Sequence, residues 1–327
     1  MIRQLSVCTI LCVYSIACSV ITAEELRQVK PRDIQRVVDN GKHNAFTAMV
    51  RWKGDYWLSF RSATDHGTND GDLIVLRSSD AEQWSEVLHL NVLPDDRDPQ
   101  FLATSQRLFL YDPGRDGGTL KSFVIHTDDG KTWSQPRQVY QDQFIFWKPV
   151  ARQGKFYATA HISSSDGEKR EAHLITSMDG LQWEKVSLIR GGTWESETTI
   201  HFDTADKMIV FLRQIRGSPS SAILESSPPY SQWKNLPSTG LYLAGHSVYT
   251  FDGVTYLLSR SSIGEQTGTR IYLFENGTLV PYCDIPSGGD CSYPAAVRDG
   301  KEMIVSYYSS HEGSTNIYTC RVPLFGK

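Results

Sequence analysis

The sequence predicts an all-β chain folded as a six-bladed β-propeller, and three observations predict it. Trp84, Trp133, Trp183 and Trp233 recur at spacings of 49, 50 and 50 residues. Self-similarity at about 40 to 50 residues with several strands per unit marks this architecture. Two alternating strands joined by a short turn open each unit, with turns at Lys53-Gly54, Thr104-Ser105, Gln153-Gly154, Ala205-Asp206, Asp252-Gly253 and Asp299-Gly300. Finally, a turn rich in Ser, Thr and Asp leads into each of the first three tryptophans.

Those turns are Ser78-Ser79-Asp80-Ala81-Glu82-Gln83-Trp84, Thr127-Asp128-Asp129-Gly130-Lys131-Thr132-Trp133 and Ser177-Met178-Asp179-Gly180-Leu181-Gln182-Trp183. In each, a carboxylate stands four residues before the tryptophan. Asp and Ser/Thr side chains accept hydrogen bonds from backbone N–H groups a few residues on, Gly supplies positive φ, and Trp buries apolar area between blades. The turns are therefore read as fold-holding and not as calcium ligands. The fourth copy, Ser226 to Trp233, keeps only its tryptophan.

From the N-terminus, Met1 to Gln4 is a short basic stretch, Leu5 to Val20 is mostly apolar, and Ile21-Thr22-Ala23 offers a cleavage site before Glu24. Residues 1–23 thus read as a secretory signal and not as a membrane span, with a secreted or periplasmic propeller over 24–327. The last unit supplies only three strands of its own. Asp33 to Val38, stranded before the first blade, is expected to add the fourth, closing a ring of four-stranded antiparallel blades and covering its edge.

A formal net charge of −4, with both signs mixed along the chain, excludes a nucleic-acid binder. Three cysteines, Cys283, Cys291 and Cys320, follow the signal. The short Pro/Gly/Ser-rich loop between the first two predicts a disulfide in an oxidising compartment. No CxxC or zinc-spaced His/Cys cluster occurs, so neither metal nor cofactor is expected.

Because blades repeat, one register position points to the same place in each. The start of each first strand gives Thr47, Asp98, Trp147, Glu197, His246 and Tyr293, and the end of each second strand gives Arg61, Asp112, His161, Arg213, Arg260 and Tyr307. None is aliphatic, although their neighbours are. Three arginines in register near one axis point to an anion site, since guanidinium forks grip carboxylate or sulfate.

These residues resemble the sialidase-like propellers over nearly the whole chain after the signal. The turns are similar to that superfamily's Asp-box (BNR) repeat. The resemblance implies a Tyr nucleophile, Tyr293, activated by a neighbouring Glu, Glu197, with Arg213 and Arg260 as two of three substrate-gripping arginines. It also implies that Glu312 steadies the first arginine. That arginine is absent from its expected place, where the chain reads Asn44-Ala45-Phe46-Thr47, and Arg61 is the candidate to reach the same space. The acid/base falls to Asp65 or His66.

The function expected is a secreted glycoside hydrolase acting from the end of an anionic glycan, sialic-acid-like or uronic, with retention. An anionic substrate repels a carboxylate nucleophile and favours a phenol deprotonated by Glu. Substrate-binding candidates are Arg61, Arg213, Arg260, Asp98, Trp147, Lys148, His246 and Tyr307. Two rival classes are a non-catalytic glycan-binding propeller and a polysaccharide lyase on uronic acids.

Overall fold

The computed structural model describes residues 28–162, 170–192, 194–216 and 218–326. The segment read as a signal, 1–23, lies outside them. All regular structure among the described residues is β-strand, arranged in six antiparallel sheets. Blade 1 runs His43–Trp52, Asp55–Ala63, Asp72–Ser78 and Ser85–Leu90, innermost strand first. In blade 2 the inner strand is split into Asp95–Asp96 and Gln100–Ala103, both paired with Leu108–Asp116. The inner strands of blades 3 to 6 are Phe144–Arg152, Glu195–Phe202, Ala244–Phe251 and Cys291–Asp299. The N-terminal strand Arg32–Val38 pairs antiparallel with Asn316–Pro323 and completes blade 6, so the ring is closed by the chain's own beginning.

The hairpin turns follow from local chemistry. Lys53 and Gly54, Gln153 and Gly154, and Asp252 and Gly253 all have positive φ, the backbone that suits the right-handed twist of the flanking strands. In the repeat turns, Oδ1 of Asp80, Asp129 and Asp179 each accepts two backbone N–H groups, at 2.8 to 2.9 Å. The tryptophans that follow plug the junctions between blades. Trp84 packs with the blade 6/1 cluster, Trp133 with 1/2, Trp183 with 2/3 and Trp233 with 3/4. Stability thus comes from a series of apolar seams around a ring, as expected for radial repeats.

A cavity of about 470 Å³ runs along the axis, lined by the inner strands of all six blades, with Met49, Leu102, Val150, Ile200 and Val248 among its apolar walls.

The expected disulfide is absent. Cys283, Cys291 and Cys320 are buried free thiols. Cys283 lies on the outermost strand of blade 5 and Cys291 on the innermost strand of blade 6. Three strand spacings, about 14 Å at the usual separation, make up the width of a blade, so the short loop joins two points farther apart than a disulfide spans.

Candidate active site

Each inner strand is irregular at the ring position predicted from register. Its pairing shifts between Ala45 and Ala48, Trp147 and Val150, Glu195 and Thr198, Ala244 and Ser247, and Ser292 and Ala295. In blade 2 the strand breaks around Asp98, whose φ is 44°. A bulge adds a residue and re-aims the side chains beside it. Repeated around the ring, it turns the polar ends of otherwise apolar strands toward the axis.

Glu197 and Tyr293 meet there. The Tyr293 hydroxyl donates to Glu197 Oε1 at 2.5 Å, and Arg213 Nη1 donates to both Glu197 oxygens at 2.8 Å. Burial alone would raise the Glu197 pKa, but the Arg213 charge and the Tyr293 hydrogen bond outweigh it and hold the carboxylate at about 2. Burial, reinforced by the Glu197 charge, pushes the Tyr293 phenol well above its ordinary value. The pair is therefore a neutral phenol poised to donate to a carboxylate. Gly245 makes room for it. At φ 55°, a Cβ there would lie 2.4 Å from Tyr293 Cδ2, and the Gly245 N–H also donates to Glu197 Oε2 at 3.3 Å.

Asp98 and Lys148 lie deep beside this pair. Burial raises Asp98 to about 6 and lowers Lys148 to about 8, and Lys148 feels both Asp98 and Glu197. Asp98 Oδ1 is buried without a hydrogen-bond partner, which leaves it an acceptor for a ligand hydroxyl. Arg260 approaches from blade 5, donating to the Cys291 carbonyl at 2.8 Å and the Tyr308 hydroxyl at 2.9 Å.

Several predicted site residues are placed elsewhere. Arg61 is fully buried, with Nε and Nη2 on Asp95 Oδ1, Nη2 also on the Thr68 carbonyl and Nη1 on the Asp65 carbonyl. It clamps a loop and presents no donor to the axis. Phe46, in the stretch where the resemblance expects the first arginine, has its ring 4.8 Å from that of Tyr293. Trp147 is 1% exposed and packs edge-on to Tyr293 at 5.9 Å, so it backs Tyr293 and offers no face to a sugar. His246 is spent on the Phe211 carbonyl at 2.8 Å, and burial drives it to about 4.

The register slips by one in blade 6. Tyr307 is sealed in the core between blades 5 and 6, whereas Tyr308 faces Arg260. Glu312 sits on the outer side of blade 6, accepting from Tyr318 at 2.8 Å and Arg36 at 3.4 Å, and steadies no arginine of the site. The Asp65 carboxylate accepts the His66 N–H at 2.7 Å within its own loop.

His66 does join the site, through residues the sequence reading did not single out. Its ring lies 5.4 Å from Phe46, and its Nδ1 is 2.7 Å from Asp290 Oδ2. The same Asp290 oxygen is 2.8 Å from His43 Nε2, while Oδ1 accepts from Tyr308 at 3.0 Å and Arg260 at 3.4 Å. Among the described residues, His43, His66 and Asp290 form the one set whose ligand atoms could share a cation. His43 Nδ1, however, is buried with no partner. Metal ligation through Nε2 would move the ring proton to that stranded nitrogen. The set is better satisfied as two imidazole N–H groups on one carboxylate.

A lyase would need a Tyr or His base, and His161, His246 and Tyr307 are the candidates. All three are buried: burial lowers both histidines to about 4, and Tyr307 lies in the core between blades 5 and 6.

Neither the protein-family models nor the curated proteins contain a match to this chain. Solved structures do match. A Dyadobacter fermentans protein of unknown function aligns with TM-score 0.78 at 18% identity, over 89% of this chain and 99% of that one. Trypanosoma rangeli sialidase in complex with the inhibitor DANA aligns with TM-score 0.70 at 11% identity, over 92% of this chain but 58% of the sialidase. Penicillium chrysogenum α-L-arabinanase complexed with arabinobiose aligns with TM-score 0.60 at 13% identity, over 86% and 93%. The chain has the six-bladed propeller fold of these structures.

Proposed function

We propose that this protein is a retaining glycoside hydrolase that removes a sugar from the end of an anionic glycan, with Tyr293 as nucleophile and Glu197 as its base. The observation that carries the reading is the 2.5 Å hydrogen bond from the Tyr293 phenol to Glu197. A nucleophile in reach of a base that is itself oriented by a third group is the mark of covalent catalysis, and Arg213 is that third group. A phenol suits an anionic substrate, which would repel a carboxylate nucleophile. Arg213, Arg260 and Lys148 supply cations around the pocket, and His66 stands on the open side as the proton donor. The signal-like residues 1–23 support action outside the cytoplasm.

The test is a panel of fluorogenic glycosides, including sialosides and uronides, with Tyr293→Phe beside the wild type. Release by the wild type alone supports the reading and names the sugar. A product absorbing in the ultraviolet would point to a lyase instead. Silence, with saturable glycan binding that Arg213→Ala abolishes, would leave a binding propeller.

A further inference from the structure

We propose that Asp290 is a positioning residue that makes His66 the proton donor of the reaction. The inference rests on the glycosidase reading above. A carboxylate only accepts hydrogen bonds, so the 2.7 Å contact with Asp290 Oδ2 places a proton on His66 Nδ1 and turns Nε2 outward. The His66 side chain is 49% exposed, against 29% for Asp290 and 7% for His43. Of the three, only the His66 ring has an edge free for a substrate.

The carboxylate cannot turn away. Its second oxygen is held by Tyr308 and Arg260, and its backbone N–H donates to Ser310 Oγ at 2.8 Å. The loop carrying His66 is fixed from behind as well. Arg61 holds the carbonyls of Asp65 and Thr68, and Arg97 holds that of His66 at 2.7 Å. Both guanidiniums share Asp95, which is fully buried. Gly71 must lack a side chain, because a Cβ would lie 2.3 Å from Arg61 Nε. Phe46 then sets the spacing, touching His66 on one side at 5.4 Å and Tyr293 on the other at 4.8 Å. An imidazole so supported repeats the division of labour in which a buried carboxylate fixes the tautomer of a histidine and does not itself react.

In the first half-reaction, the Tyr293 oxygen bonds to the anomeric carbon as its proton passes to Glu197. The anomeric carbon–oxygen bond breaks, and the departing oxygen keeps the electron pair and takes the Nε2 proton of His66, which enters the step as the imidazolium and leaves it neutral with Nδ1–H still on Asp290. In the second half-reaction, the now neutral Nε2 takes a proton from water. The water oxygen bonds to the anomeric carbon, the tyrosyl bond breaks, and Glu197 returns its proton to the phenolate.

A proton donor matters only when the leaving group needs one. The test compares two glycosides of the sugar that the wild type cleaves, one with a dinitrophenol leaving group and one with an unactivated alcohol, for the wild type, Asp290→Asn and His66→Gln. On the alcohol, kcat/KM should fall by about 10²-fold or more in both variants. On the dinitrophenyl substrate it should change by less than about fivefold. Because His66 lies on an exposed loop, His66→Gln keeps the test valid should Asp290→Asn fold poorly. Equal losses on both leaving groups would reduce Asp290 to a clasp between blades 6 and 1 and overturn the proposal. So would a stoichiometric metal in the purified protein whose chelation abolishes activity. Cleavage of neither substrate by the wild type removes the glycosidase reading, and this role with it.

Discussion

Tyr293 on blade 6 and Glu197 on blade 4 are 96 residues apart in the chain and 2.5 Å apart across the axis, the phenol donating to the carboxylate. A hydrogen bond that short is charge-assisted. Arg213 makes it so by keeping Glu197 ionised. Glu197→Gln should keep the fold and lower kcat by about 10² to 10⁴-fold, and Tyr293→Phe should lower it at least as far. Steady-state rates with circular dichroism as the folding control check both.

Arg213→Ala should destabilise the protein by about 3 to 5 kcal/mol, because it leaves the nearly buried Glu197 charge without its partner. Pairing it with Glu197→Gln should restore most of that loss. Urea unfolding of the two variants distinguishes this from a surface ion pair, for which neither change would exceed about 1 kcal/mol.

Stability should respond to pH with two opposite signs. The Glu197 pKa is held at about 2 in the fold, against 4.5 unfolded, so its contribution is present above pH 4.5 and lost as pH falls toward 2. Asp98 is raised to about 6 from 3.8, so its burial costs stability as pH rises from 3.8 through 6. Unfolding free energies from pH 2 to 8 should therefore lose part of their acid limb in Glu197→Gln, the rest remaining with Asp70, Asp80, Asp129 and Asp290, and part of their decline toward neutrality in Asp98→Asn.

Gly245→Ala should impair the proposed reaction with Tyr293 and Glu197 both left in the chain. Its Cβ would fall 2.4 Å from the Tyr293 ring. That ring is hemmed in by Phe46 at 4.8 Å, Trp147 at 5.9 Å and Tyr308 at 6.0 Å. A displacement of about 1 Å at a reacting group costs about 10²-fold, so kcat should drop by that order. An unchanged kcat would mean that the phenol need not sit where it does.

The cysteines offer a simpler check. Cys283, Cys291 and Cys320 should resist thiol reagents in the native protein and react fully once it is unfolded, and reductant should leave the melting temperature unchanged.

What could be read from the sequence, and what could not, divides along chain distance. The repeat turns, the hairpins and the closing strand are local patterns, and each is found where its residues imply. The Glu197, Arg213 and Tyr293 constellation is also legible, since equivalent positions of repeated blades must converge. Register beyond a bulge is not, because the extra residue exchanges the faces of the strand. In blade 6 the bulge lies on the inner strand beyond Ser292, which pairs with Tyr308, and it is Tyr308 that meets Arg260 while Tyr307 lies in the core between blades 5 and 6. Arg61 looks the same in sequence whether it faces the axis or the next blade, and it is Asp95, 34 residues on, that decides. Asp290 is an unremarked loop acid until the ring closes and brings His43 and His66, 247 and 224 residues earlier, onto it.

The covalent role of Tyr293 is tested by mass spectrometry of the protein quenched during turnover of a fluorine-substituted glycoside that slows breakdown of the intermediate. One added glycosyl group is expected on the peptide that contains Tyr293, absent from Tyr293→Phe. Turnover with the sugar attached elsewhere, or with no covalent species at all, would contradict that role.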